Sequence, residues 1–486
     1  MSSQRVAVVG GSVAGVSAAL FLARRGHHVV VLERDAAPSP PTVDEAGPWR
    51  RRSTPQAAHS HAFLARSRMI LNHEAPDVLA DMLDQGVRQA MLIEDRPPAS
   101  APTDVGAAGG LDGTDDQGIT DADLIVLNAR RSVFEWVLRR AAEHQPGVEF
   151  RAGVTVNGLE THQNGSTRVV GVTTEAGPVA ADVVVDAGGK RSPIRGWIGA
   201  DTSGDLEVPC GISYITRFYQ LRHGEPARLN RGFTHGASFD RYSCLVFPAD
   251  NGAFSVTFGV LPEDKDMRSL LDPAAFDAAA ASIPTIASWV DPDVAVPTSD
   301  VALMASLRNL LRAPVTEEPL GLHTIGDARC VTNPAHTRGT TLALLGAQRL
   351  AQVVTDLAGD PAGQAEAMAA FTDRELAAWF DDSVAQDAAR LSRWRPHEEP
   401  HQPAWVAPVS NGEAYLASQR DRQAWQAFTR LQNTLALPSQ VLGGATLAAA
   451  VDRVARSGWR PAPVQAPNHD ELVALARAAG ANAARS

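Results

Sequence analysis

RVAVVGGSVAGVSAALFLARRGHHVVVLE, residues 5–33, is the stretch on which the fold turns. It opens with an apolar run, Arg5–Val9, short and rich in β-branched residues as a buried parallel strand is. Gly10-Gly11-Ser12-Val13-Ala14-Gly15 follows, then a helical stretch over Val13–Arg25 and a second strand-like run, His28–Leu32. The six residues set Gly, Ser and Gly where a dinucleotide-binding turn has G-x-G-x-x-G. The first glycine permits the tight turn, and the last lets helix pack close to strand. Ser12, in the middle, is small enough to leave the backbone open to a pyrophosphate. The helix N-terminus, with Val13 and Ala14, then offers unpaired N–H groups and the positive end of the helix dipole. Glu33 closes the second strand, where a carboxylate accepts from a ribose 2′-OH and repels a 2′-phosphate. The competing reading is a glycine turn kept for packing.

Outward from this unit, the chain has 486 residues, enough for two or three packed units. A net charge of −11 argues against nucleic acid or an anionic membrane surface as partner. Cys210, Cys244 and Cys330 are odd in number and far apart, so neither a disulfide framework nor a metal site is implied, and a cytoplasmic location is expected. Lys190 and Lys265 are the only lysines, which limits any chemistry that needs one. Val6–Ala23 is apolar and follows Arg5, as a signal peptide would. Three glycines, Arg24 and Arg25, and the second strand fit a folded βαβ unit better. No other apolar run is long enough to span a membrane.

After a Pro- and charge-rich loop to Arg52, Gln56–Asn72 reads as a helix capped by Ser53 or Thr54, with Pro55 in its first position. On such a helix Gln56 and His59 share a face and His61 turns away. Asp95–Asp123 reads as a Pro/Gly/Ala/Asp-rich surface excursion. Strand patterns follow at Leu124–Leu127, Val148–Val156, Arg168–Thr174 and Ala181–Asp186, with an amphipathic helix at Ser132–His144. From about Ala200 to Ser306 the pattern alternates, as in Ile212–Leu221, Cys244–Pro248 and Phe254–Leu261, and predicts an antiparallel layer suited to enclosing a substrate. Leu322–Gly326 returns to the buried-strand style, with a helix from about Thr341. The rest is helical, with Pro-rich breaks at Pro396–Pro408 and Pro461–Pro467.

Two later motifs specify the dinucleotide. Asp186-Ala187-Gly188-Gly189-Lys190-Arg191-Ser192-Pro193-Ile194-Arg195 resembles the Asp-Gly signature of flavoprotein aromatic hydroxylases. Gly326-Asp327-Ala328, with Pro334 and Gly339 beyond, resembles their Gly-Asp signature. With the N-terminal turn, over about residues 1–360, the chain resembles the para-hydroxybenzoate-hydroxylase-like flavin monooxygenases. Locally, Arg51–His61 and Arg131–Trp136 look like segments of polyether-antibiotic epoxidases, although Ser53-Thr54 replaces Gly-Val.

The resemblance implies an α/β fold of α+β, two-domain type: a Rossmann-type FAD-binding domain over 1–80, 124–200 and 315–362, a β-rich substrate domain over 81–123 and 201–314, and a helical C-terminal region over 363–486. It implies FAD, with Glu33, Arg34, Gln56, Val156 and the Asp186–Gly188 turn beside it and Asp327 on its ribityl chain. Arg51 and Arg131 are expected near the pyrophosphate or ribityl, although each also reads as a solvated loop charge. Gly339-Thr340-Thr341 is expected to aim a helix N-terminus at the flavin ring, although Thr337-Arg338-Gly339-Thr340-Thr341 stands where the family has Gly-x-Gly-x-Asn.

The implied reaction is hydroxylation or epoxidation through a flavin C4a-hydroperoxide, with O2, an apolar small molecule, and NADH or NADPH acting directly or through a flavin reductase. His59, His61 and His336 are the candidate catalytic side chains, each also readable as a structural histidine. Phe218, Tyr219, Tyr242, Phe247, Phe254 and Phe258 offer aromatic surface, with core packing the favoured reading. A reductase of the geranylgeranyl-reductase type and a non-catalytic FAD-binding module stay open. A halogenase reading is weaker, because the chain lacks a W-x-W-x-I-P segment and Lys190 sits inside the Asp-Gly motif.

Overall fold

The computed structural model describes residues 3–98, 118–314, 319–395 and 405–483. Strand β1 (Arg5–Val9), helix α1 (Val13–Arg24) and strand β2 (His28–Glu33) form the expected unit. β1 is the middle of a five-stranded sheet ordered Leu322–Thr324, Val183–Asp186, β1, β2, Val148–Ala152, and every pairing is parallel. Parallel strands must be covered on both faces. One face packs on α1, which is buried between the sheet and the helices Gly339–Asp356 and Arg131–His144. The other is closed by a three-stranded antiparallel sheet, Val156–Asn164, Ser166–Thr174 and Gly177–Ala180, through Val156, Val169 and Val172.

The alternating middle region forms an antiparallel sheet ordered His235–Ser238, Tyr242–Pro248, Ala253–Val260, Ser213–Leu221, Ala295–Pro297, with Ala302–Met304 also on Ser213–Leu221. One face is covered by the helices Pro273–Ala281 and Pro284–Val290, which the alternation hid. Their local signal was present: Asp272 caps the first helix by accepting the Ala275 N–H, and Pro273 and Pro284 sit at first-turn positions. The C-terminal helix His469–Ala483 packs on the same core through Leu472, Val473 and Ala476. Tyr219, Tyr242, Phe254 and Phe258 are buried among themselves and these helices, and Phe218 is buried too, so core packing describes them.

The predicted helix over Gln56–Asn72 breaks in two. Pro55–Ala58 is a single 3₁₀ turn, His59 is extended, and the α-helix starts at Ala65. Tertiary pairing overrides the helical pattern here: Phe63 exchanges both backbone hydrogen bonds with Leu127, each 2.8 Å, and the Ser60 hydroxyl bonds Ser255 on the middle sheet at 2.7 Å. The Gln56/His59 shared face, which assumed a helix, falls with it. Most of the excursion predicted over Asp95–Asp123, and most of the Pro-rich break from Pro396, lie outside the described residues. No described helix is long and apolar enough to cross a membrane.

Candidate functional site

The three sequence motifs follow three adjacent parallel strands and meet at their C-terminal ends. Val9 pairs with Asp186, and Asp186 with Thr324. Gly10 has φ +111°, and a Cβ there would stand 2.4 Å from the Ala187 carbonyl oxygen. A Cβ on Gly15 would stand 1.9 Å from the Gly10 oxygen, and one on Gly326 (φ +60°) 2.7 Å from the Ala14 Cβ. Only glycine lets the three turns close on one another. Asp186 is buried and spent within its own turn, where it accepts from the Gly188 N–H at 3.0 Å and the Ser192 hydroxyl at 2.8 Å. Burial raises its carboxyl pKa, which those bonds oppose.

Above these turns lies a buried cluster of charge. Glu135, on the first turns of Arg131–His144, receives Arg51, the Arg131 Nε at 2.7 Å and the Ser12 hydroxyl at 2.8 Å. Arg51 also donates to the Gly11 oxygen at 3.3 Å, and Arg131 to the Thr340 hydroxyl at 2.9 Å. Burial alone would raise the Glu135 pKa, but the Arg131 and Arg51 guanidiniums bring it down to about 2. Two guanidiniums share one carboxylate, so one positive charge is left at the mouth of the α1 N-terminus. That terminus has no side-chain cap, because Ser12 turns its hydroxyl to Glu135. Uncapped N–H groups and an excess guanidinium charge suit a pyrophosphate.

Glu33 is buried and accepts the Gly11 N–H at 2.7 Å and the Asp35 N–H at 2.8 Å. A carboxylate has about four acceptor sites, so ribose hydroxyls can still be received. Asp327 is solvent-accessible yet walled by protein, and burial raises its pKa. It has no hydrogen-bond or ion-pair partner among the described residues, as a ribityl hydroxyl's acceptor would. Gly339 begins its helix with open space where a Cβ would stand. Thr341 is fully buried and its hydroxyl bonds Ser67 at 2.8 Å, so only its backbone can serve a ligand. Arg34 is exposed and Gln56 half-buried, and Val156 packs in the core behind the sheet.

The histidines separate. The buried His59 ring meets the Thr216 hydroxyl at 3.0 Å, which ties this segment to the middle sheet. His61 Nδ1 bonds the His59 carbonyl at 2.9 Å, and its charged neighbours are Arg131 and Glu135. Burial, then Arg50, lowers the His59 pKa to about 4; burial, then Arg131, lowers that of His61 to about 3. Both are neutral at pH 7. It is His61, not His59, that faces the arginine–carboxylate cluster.

His336 stands elsewhere, on the wall of a cavity of about 870 Å³ between the middle sheet and the C-terminal helices. Phe233, Leu245, Phe247, Trp425 and Phe428 line its apolar part, and Ala335, His336 and Thr337 form one edge. The His336 Nε2 is buried without a hydrogen-bond partner among the described residues, 3.9 Å from an Asp387 oxygen. Desolvation, then Arg338, lowers its pKa to about 4. Behind it a buried network fixes the loop. Asn333 donates to Asp387 at 2.6 Å and accepts from the Tyr214 hydroxyl at 2.8 Å, and Arg390 and Asn309 also bond Asp387.

The profile of FAD dependent oxidoreductases (DAO) matches residues 5–353. The chain belongs to the FAD-dependent oxidoreductase family. This oxidoreductase is 30% identical over 368 residues to protein Rv3254 of Mycobacterium tuberculosis, covering 71% of each chain. A shorter stretch is 32% identical over 193 residues to the kynurenine 3-monooxygenase of Salinispora arenicola, covering 40% of this chain and 37% of that one. Among solved structures, PqsL of Pseudomonas aeruginosa, a probable FAD-dependent monooxygenase, superposes with a TM-score of 0.59 at 16% identity, over 81% of this chain and 98% of that one. The flavin-dependent brominase Bmp2 superposes with the same TM-score of 0.59 at 16% identity, over 94% and 100%. At that identity the two structures report the fold alone.

The oxidoreductase's own residues fit FAD. The uncapped α1 N-terminus with Arg51 and Arg131 could take the pyrophosphate, Glu33 the ribose, Asp327 the ribityl chain, and the open Gly339 end the ring. Glu135 lies within the Arg131–Trp136 segment, whose resemblance carried no role for it. Its signal was the i, i+4 spacing from Arg131. The cavity-lining helices were not assigned to the site at all.

Proposed function

We propose that this FAD-dependent oxidoreductase is a monooxygenase that inserts one oxygen atom of O2 into an apolar small molecule held in the 870 Å³ cavity. The observation that carries this reading is the continuity of Gly326–Thr341. Its two ends, Gly326–Asp327 and Gly339–Thr341, belong to the proposed cofactor cradle, while Ala335–Thr337 form a wall of the cavity. Bound FAD would carry electrons from NADH or NADPH, received directly or through a flavin reductase, to O2. The protein's part is to orient and exclude. Arg51, Arg131 and the α1 N-terminus hold anionic oxygens, and the uncapped Gly339 helix end stabilises negative charge on the ring. His61 stays a neutral donor or acceptor beside them. The apolar cavity keeps water from the reacting atoms.

The kynurenine 3-monooxygenase likeness supports oxygen insertion. The Arg51–His61 similarity supports hydroxylation or epoxidation of a polyketide or aromatic secondary metabolite. Three free buried thiols suit a reducing cytoplasm. No lysine is among the residues lining the cavity, which speaks against halogenation.

Turnover under ¹⁸O2 with NADPH, with and without an added flavin reductase, tests the reading on metabolites of the neighbouring genes. One ¹⁸O atom per product is expected. Anaerobic product formation with reduced flavin would replace it with a reductase, and a bound flavin inert to both donors with a non-catalytic module.

A further inference from the structure

Among the described residues, the charges around the cavity do not balance. Its acidic lining residues, Asp95 and Asp382, are each paired, with Arg228 at 2.8 Å and with the fully buried Arg338. Its two lining arginines are not. Arg231, on the loop before His235–Ser238, lies over the Tyr415 ring at 5.2 Å and makes no ion pair with a described residue. Arg393, near the end of the helix Ala377–Trp394, has no hydrogen-bond or ion-pair partner among the described residues. Their neighbours Arg338, Arg390 and Arg395 all hold carboxylates.

We infer that the cavity binds an organic acid, an aromatic or apolar body carrying a carboxylate that Arg231 and Arg393 hold between them. The ring of Tyr415 engages the face of the Arg231 guanidinium and leaves its N–H edge for a carboxylate fork. The two arginines come from separate elements, the middle-sheet loop and the C-terminal helix. Partial burial, then Arg390, then Arg231 lower the pKa of Arg393, so the two cavity arginines lie close enough to repel one another. An anion between them relieves that repulsion. Trp425, Phe233, Phe247 and Phe428 offer the apolar body its surface. In a chain of net charge −11, a local positive pair also draws an anion to the cavity selectively.

This inference rests on the cavity being the substrate site and specifies its ligand. Calorimetric titration of the FAD-loaded full chain with 2-naphthoate and with 2-naphthamide tests it without turnover. The acid is expected to bind on the order of tenfold more tightly than the amide at low salt, with the gap narrowing at high salt. Arg231→Gln and Arg393→Gln should each remove most of that preference while leaving naphthamide affinity unchanged, which also shows the cavity intact. Equal binding of acid and amide overturns the inference, and so do arginine variants that weaken both probes alike. Absence of ¹⁸O in product would sink the monooxygenase reading and leave this binding result standing.

Discussion

Glu135 holds two guanidiniums and the Ser12 hydroxyl from a fully buried position, so its loss strands charge that water cannot reach. Glu135→Gln is expected to destabilise the protein by about 3–5 kcal/mol, the range for breaking a buried pair from one side, read as a fall in Tm. Its folded pKa of about 2 lies below the ordinary 4.5, so its stabilisation is present above pH 4.5 and lost as pH falls toward 2. The variant should therefore flatten that limb of an acid-unfolding curve; an unchanged limb would refute the assignment. Gly339 offers a different test. A Cβ there meets open space, so Gly339→Ala should fold with a stability within about 1 kcal/mol of wild type. If that space is the flavin cradle, the methyl group lowers FAD retention, measured as the flavin-to-protein absorbance ratio. Unchanged retention would move the ring elsewhere.

Among elements, the contrast is between turns written locally and pairings that are not. The β1–α1–β2 unit and the turns at Asp186 and Gly326 were legible because each needs its glycines within a few residues of a buried strand. The extended run from His59 to Leu64 was not. Its partners, Leu127, Thr216 and Ser255, lie far along the chain, and local spacing carries no trace of them. The same holds for Arg231 and Arg393, which share a cavity only after three parts of the chain have packed. The helix His469–Ala483 makes the point energetically. Leu472 is fully buried against the core of the middle sheet. Leu472→Ala should cost about 2–5 kcal/mol in denaturant unfolding, as a core leucine does, although its sequence reads only as one more C-terminal helix. A loss below 1 kcal/mol would show that the helix is not part of that core.

At the scale of the whole molecule, burial lowers the pKa of six described histidines: His59, His323 and His336 to about 4, His61 to about 3, and His27 and His235 below the ordinary 6.5. Each folded pKa lies below the unfolded value of 6.5. Their contribution is complete above pH 6.5 and is lost as pH falls toward 4, before most carboxylates titrate. Tm is thus expected to drop steadily between pH 6.5 and 4, and a flat profile across that window would contradict histidines held neutral by burial. The segment that joins cradle to cavity has a further consequence. Thr337, within it, sits in the left-handed region at φ 54°, a conformation a β-branched residue adopts at a cost. A ligand on either side that holds this segment in place spares the other that expense, so the two binding equilibria are heterotropically linked. Reciprocity then demands that whatever factor a cavity ligand adds to FAD affinity, FAD adds to the affinity of that ligand.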